Sequence, residues 1–256
     1  MNRKSTLLSL LILVSLALQP AQAQTDWWRL ATGALKAGQA MTITDEQLAE
    51  AVAQEVALLD KKNKVCEANT AYAKRLKRLT NGMNNADGIK LNFKVYKTTD
   101  VNAFACPDGS VRVYSALMDA LTDDELLGVL GHEIGHVALR HSKKAWRNAL
   151  LRSAASDAIG SRSTTWAAMS DSFIGDLSSV ALSASNSRKH ETQADEYGYR
   201  FLKKCGKDPA AMISMLKKLK QLSESSNSGK YDKWLRAFSS HPDFDKRIEH
   251  LNAMRR

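Results

Sequence analysis

The chain has 256 residues, with 37 lysines and arginines against 27 aspartates and glutamates, a formal net charge of +10 and 44% hydrophobic residues. That is enough for one sizeable core, or one core with a helical extension. The basic excess is spread through mixed-charge stretches instead of gathered beside aromatic strands, which sets nucleic-acid binding aside and leaves electrostatic contact with anionic membrane surfaces open.

The first elements are read for targeting. A short basic start (MNRKS), an apolar run over residues 6–18 and Ala21-Gln22-Ala23 predict a secretory signal cleaved before Gln24. The apolar run is too short to span a bilayer. Loss of Arg3 and Lys4 takes the formal charge from +10 to +8, because 10 − 2 = 8. The expected destination is the periplasm, as an exported protein peripheral at most to a membrane. In such an oxidising compartment Cys66, Cys106 and Cys205 suggest one disulfide and one free or intermolecular thiol, with all three pairings open. No close Cys-x-x-Cys spacing points to a zinc cluster.

Residues 24–256 read as one domain. Thr44 with Gln47 makes a capping box before a helix whose Leu48, Val52, Val56 and Leu59 recur at three- and four-residue steps. A second helix is expected near 70–79, packing Leu76 and Leu79. The alternation in residues 91–97 predicts a partly exposed strand, with Leu91, Phe93 and Val95 on one side and Asn92, Lys94 and Tyr96 on the other. Residues 101–106 and 111–115 are two further strands around the turn Pro107-Asp108-Gly109. Together they predict a small antiparallel sheet.

Thr122 and Glu125 form a second capping box, starting a helix through about residue 139. Inside it stands GHEIGHVALRH. His132 and His136 are four residues apart, about 40° around the helix, so both imidazoles reach one zinc ion; Glu133, set to one side, suits a base for a metal-bound water. Leu126, Leu130, Ile134 and Val137 lie roughly opposite the histidines, and Gly131 and Gly135 permit close packing. Residues 142–190 are rich in alanine and small polar residues and read as a mobile helical or loop segment over the cleft, or as an amphipathic membrane-contacting element.

A helix from about 189 to 204 carries Glu191 and Asp195 on one face. Asp208-Pro209 begins another, with Met212, Met215, Leu216 and Leu219 as core, and His241-Pro242 starts the last. A hydrolytic zinc site uses three protein ligands and leaves one position open. Glu191 is the expected third ligand, because Asp195 on the same face can orient a zinc-bound histidine. Glu196 and His190 point away from that face. His141, about 140° from His136 on a continued helix, reads as a surface histidine. For His241 three roles stay open: oxyanion stabilisation, reversible occupation of the open zinc position, or simple capping.

Taken together, HEIGH at 132–136, ETQAD at 191–195, NAFACPDGSVRV at 102–113 and SSHPDFDKRI at 239–248 resemble the M48 family of zinc metallopeptidases, in the family's order over about residues 40–251. The resemblance is greatest to small bacterial periplasmic members associated with envelope protein quality control. It implies an α+β, mainly helical, zincin-like fold with the small sheet beside the HExxH helix. It implies one Zn²⁺ held by His132, His136 and Glu191, with Glu133 as the catalytic acid/base and Asp195 in support. Asn102, Ala103 and Phe104 would form a substrate edge strand, and His241 and Arg247 a C-terminal active-site element. The implied substrates are unfolded or misfolded envelope polypeptides. A zinc-binding chaperone or assembly factor that does not cut peptides is the competing class, and a zinc hydrolase of non-peptide substrates a weaker one. Oligomeric state is left open.

Overall fold

The computed structural model describes residues 44–141, 143, 146–148, 187–224, 241 and 243–255. The expected signal segment, and most of the segment expected to cover the cleft, lie outside these residues. Seven helices are described: α1 (Asp45–Lys62), α2 (Ala71–Leu79), α3 (Ser115–Ala120), α4 (Asp123–Ala138), α5 (Arg188–Lys204), α6 (Ala211–Glu224) and α7 (Phe244–Arg255). The strands are β1 (Asn85–Ala86), β2 (Ile89–Lys90), β3 (Asn92–Tyr96), β4 (Ala103–Ala105) and β5 (Ser110–Tyr114). Among the described residues no helix is long and apolar enough to cross a membrane.

The architecture is α+β and mainly helical. α4 is its centre, and its sequence says why it starts where it does. Both halves of the Thr122/Glu125 capping box form, and Asp123, Asp124 and Glu125 place negative charge against the positive end of the helix dipole. Every residue from Leu126 to Val137 except Glu133 is buried, so α4 is enclosed on all sides. α5 and α6 pack along it, and β4 runs beside it. Met212, Met215, Leu216 and Leu219 of α6 join this main core, as their spacing predicts.

Glycine sets how close α5 comes to α4. A Cβ on Gly135 would stand 2.6 Å from the Ala194 carbonyl oxygen and 3.0 Å from its Cα, both backbone atoms of α5. Ala194 lies between Glu191 and Asp195, so widening this crossing moves both acids away from the histidines. Gly135→Ala is therefore expected to cost about 1–3 kcal/mol through overpacking and to weaken metal binding at the same time. Denaturant unfolding and chelator competition on one sample check both halves.

The three-stranded sheet has the order β3-β5-β4. β4 and β5 pair antiparallel around Pro107-Asp108-Gly109, as expected. β3 pairs parallel with β5, Asn92 opposite Ser110 and Tyr96 opposite Tyr114, so the sheet is mixed and not wholly antiparallel. Alternation shows which face a side chain takes, but not which strand lies alongside. β1 and β2 form a separate hairpin through Asp87 and Gly88, both at positive φ (49° and 92°), the geometry of a type I′ turn.

The face of β3 expected to be partly exposed is covered by α1. Tyr96, Phe104, Cys106 and Trp146 form a second core with Leu48, Val52, Val56 and Leu59 of α1. Asp60 fastens the helix to the sheet. Its carboxylate accepts from Arg112 Nε at 2.8 Å, Tyr96 Oη at 2.7 Å and Lys94 Nζ at 2.7 Å. Burial pushes the Asp60 carboxyl up, but the guanidinium, ammonium and phenol outweigh it and hold the acid below its ordinary value. The stabilisation is therefore present above about pH 3.9, the unfolded value, and lost as pH falls through the lowered folded value. Asp60→Asn is expected to cost about 3 kcal/mol at pH 7, because Arg112 is left buried without its anion. The gap from wild type should narrow as pH falls through the lowered folded value, as read by denaturant titration at neutral and at acid pH.

The three cysteines are free thiols. The expected disulfide is not formed, and Cys106 is wholly enclosed in the second core, where burial pushes its thiol well above the ordinary range.

Candidate active site

His132 and His136 project from α4 toward α5. Their Nε2 atoms are 3.0 Å apart. Glu191, in the first turn of α5, brings Oε2 to 3.4 Å from His132 Nε2 and Oε1 to 3.4 Å from His136 Nε2. His241 adds Nδ1 at 2.8 Å from Glu191 Oε2 and 3.2 Å from His132 Nε2. One nitrogen or oxygen from each residue lies within 4.8 Å of all the others, and the four residues are 4%, 7%, 1% and 7% exposed in the order His132, His136, Glu191, His241.

This donor set fits a metal. Tetrahedral zinc with bonds of about 2.0–2.1 Å separates its ligand atoms by about 3.4 Å, close to the spacing among His132, His136 and Glu191. Oε1 of Glu191 is buried and has no hydrogen-bond partner, which costs free energy unless a cation satisfies it.

Asp195 and Arg247 brace the cluster from behind. Asp195 Oδ1 lies 2.8 Å from His132 Nδ1, so the carboxylate accepts the Nδ1 proton and Nε2 is the nitrogen turned toward the cluster. Arg247, buried at the second turn of α7, donates to Asp195 through Nε at 2.6 Å and Nη2 at 2.8 Å, and meets Glu191 Oε2 through Nη1 at 3.0 Å. One guanidinium thus faces two buried carboxylates, leaving the cluster one positive charge short.

That deficit sets the protonation of the cluster. Burial pushes His132 down, but Asp195 and Glu191 outweigh it and hold its pKa at about 9. Burial, with the charges of His132 and His241, drives His136 down to about 3, against the pull of Glu191. Glu191 lies well below the ordinary carboxylate range: burial raises it, and the three imidazoles outweigh that. For Asp195 burial is likewise outweighed, here by Arg247 and His132, to about 2. A site that draws a proton onto one buried histidine for want of positive charge is one in which a cation can replace that proton.

Glu133 stands aside from the ligand atoms, its side chain 14% exposed and its Oε1 4.0 Å from His241 Nε2. Burial raises its pKa, offset in part by His241, His132 and the Ala105 N–H that its carboxylate accepts. A raised carboxylate suits a group that must take up a proton and give it back.

The edge strand lies where expected, shifted by one residue. Tyr114 N–H donates to Asn102 O at 3.0 Å and Cys106 N–H to Ser110 O at 2.9 Å. By antiparallel alternation the main-chain groups of Asn102 and Phe104 therefore face β5, while those of Ala103 and Ala105 face the outer edge. Phe104 puts its ring into the second core. Ala105, not anticipated from the sequence, is the residue whose edge group reaches Glu133.

His141 also differs from expectation. It is partly buried against the site, its Nδ1 3.0 Å from His136 Nδ1 and its ring stacked on His190 at 4.2 Å. The helix ends before it, so the angle read along a continued helix does not apply. Glu196, in contrast, faces away and pairs with His250 at 2.8 Å.

A buried HExxH pair on one helix, a glutamate from a second and a raised carboxylate at a sheet edge define a metallopeptidase site of the helical, zincin-like kind. The chain belongs to Peptidase family M48, whose sequence pattern matches residues 70–255. It is 38% identical over 223 residues to Metalloprotease LoiP of Escherichia coli (strain K12), covering 87% of this chain and 85% of that one. It is 36% identical over 252 residues to Metalloprotease YcaL of the same organism, covering 97% and 96%. Over 147 residues it is 30% identical to the E. coli Beta-barrel assembly-enhancing protease, covering 54% of this chain and 30% of that one. The protein is accordingly a metalloendopeptidase.

Proposed function

We propose that this protein is a zinc-dependent endopeptidase that cuts unfolded or damaged polypeptides of the cell envelope, working in the periplasm. The observation that carries the reading is the convergence of His132, His136 and Glu191 on one point, with Glu133 beside that point and against the outer edge of β4.

His132, His136 and Glu191 would hold the ion, with Asp195 and Arg247 fixing the first histidine and the glutamate. Zinc held there would supply Lewis acidity toward the scissile carbonyl and would make water acidic enough to lose a proton near neutral pH. Glu133 accepts that proton and delivers it to the departing amine. Substrate main chain pairs with the outward groups of Ala103 and the carbonyl of Ala105 as an added strand, so recognition draws little on side-chain identity and needs an extended segment. That requirement favours unfolded chains over folded ones. His241, beside both Glu133 and Glu191, would be placed either to complete the donor set or to donate to negative charge developing on the substrate oxygen.

The test is zinc-loaded protein incubated with one polypeptide in its folded and its unfolded form, with fragments identified by mass spectrometry. Cleavage of the unfolded form alone supports the reading. Binding without cleavage at full zinc occupancy points instead to a chaperone, and cleavage of both forms alike removes strand addition as the basis of selection.

A further inference from the structure

α4 ends in a left-handed turn, and that turn has a chemical consequence. Arg140 has φ +58°, its N–H donates to Val137 O at 2.9 Å, and the His141 N–H donates to His136 O at 2.9 Å. With Leu139 as cap, these are the two bonds of a Schellman motif, which folds the second residue past the cap back over the last helical turn. Those two residues are His141 and His136. A non-glycine residue in the left-handed region is unfavourable on its own; here the Arg140 side chain is tied to Asp45 of α1.

The contact is specific. The two Nδ1 atoms are 3.0 Å apart, with ring centroids at 5.1 Å and planes at 71°. The His141 ring is itself held, stacked on His190 at 4.2 Å and 12° and hydrogen-bonded with the Gln193 side chain. An Nδ1···Nδ1 contact holds one proton. A nitrogen that faces a metal must be bare, so a neutral His136 turning Nε2 to the cluster carries its proton on Nδ1 and is the donor. His141 Nδ1 is then the acceptor.

We propose that His141 is a positioning residue for the metal centre: it accepts the Nδ1–H of His136 and so fixes the tautomer and ring plane in which His136 presents Nε2. This rests on the metal-site reading above. The two histidine ligands are thereby oriented by unlike partners, His132 by the Asp195 carboxylate and His136 by a neutral imidazole.

The test compares zinc affinity by chelator competition, and the visible absorption of the cobalt-loaded protein, across wild type, His141→Phe, His141→Gln and His136→Ala. Phenylalanine keeps the ring over His190 but removes the acceptor; glutamine keeps an acceptor. The expected result is a loss of about 10–100-fold in affinity and an altered cobalt spectrum for His141→Phe, largely restored in His141→Gln. Wild-type affinity and spectrum in His141→Phe, or equal loss in both variants, overturns the proposal. Undiminished metal binding by His136→Ala would instead mean that the metal-site reading has failed. Should His141→Phe not fold, long-range ¹H–¹⁵N correlation on zinc-loaded wild type decides. A protonated Nδ1 on His136 with a bare Nδ1 on His141 supports the assignment, and the reverse overturns it.

Discussion

Replacing Glu133 with glutamine is expected to leave a folded, metal-loaded protein that cleaves peptide at least about 10²–10⁴-fold more slowly, the range that a general acid/base contributes. The substitution keeps the shape and the hydrogen bond from Ala105 but removes the site that takes up a proton. Glu133 is not among the four residues whose donor atoms converge, so its loss should spare the metal. The fall should sit in kcat, because the proton moves only as the bond is attacked, while KM stays near wild type. Wild-type turnover by a variant of confirmed zinc content would remove Glu133 as the base.

Glu191→Gln is the second large effect, and it separates binding from catalysis. Glutamine keeps the volume but removes the anion that meets His132, His136, His241 and Arg247 at once. Arg247 retains its two bonds to Asp195, so the fold should survive. The metal loses a charged ligand, and bound zinc after dialysis is expected to fall by about 100-fold in affinity or more, with activity lost in parallel. Unchanged zinc content and unchanged activity together would sink the assignment of the third ligand.

Much of this site is legible in the chain because helices make it regular. The two capping boxes, the four-residue spacing of His132 and His136 and the shared face of Glu191 and Asp195 all follow from 3.6 residues per turn. The stretches that escaped are those where the backbone leaves that period. α3 spans six residues, too few to show a repeat. The parallel pairing of β3 with β5 depends on where the loop before β4 crosses, which strand alternation does not encode. Cover of Tyr96 by α1 depends on Asp60, a residue that by spacing alone belongs to a solvated face. His141 is hidden by its neighbour: a left-handed cap at arginine carries no glycine to announce it, and on a continued helix the histidine would face away. The edge is legible only to within a residue, because strand limits in sequence are soft, whereas the outward main-chain groups alternate strictly.

A single ion between two helices is the centre of the proposed chemistry. X-ray diffraction from zinc-loaded crystals, measured on both sides of the zinc absorption edge, tests that directly. The expected result is one anomalous peak per chain, within bonding distance of Nε2 of His132, Nε2 of His136 and a Glu191 oxygen, with the Glu133 carboxylate outside the ligand shell. A peak bound by other residues, or one that takes Glu133 as a ligand and leaves Glu191 free, would contradict it.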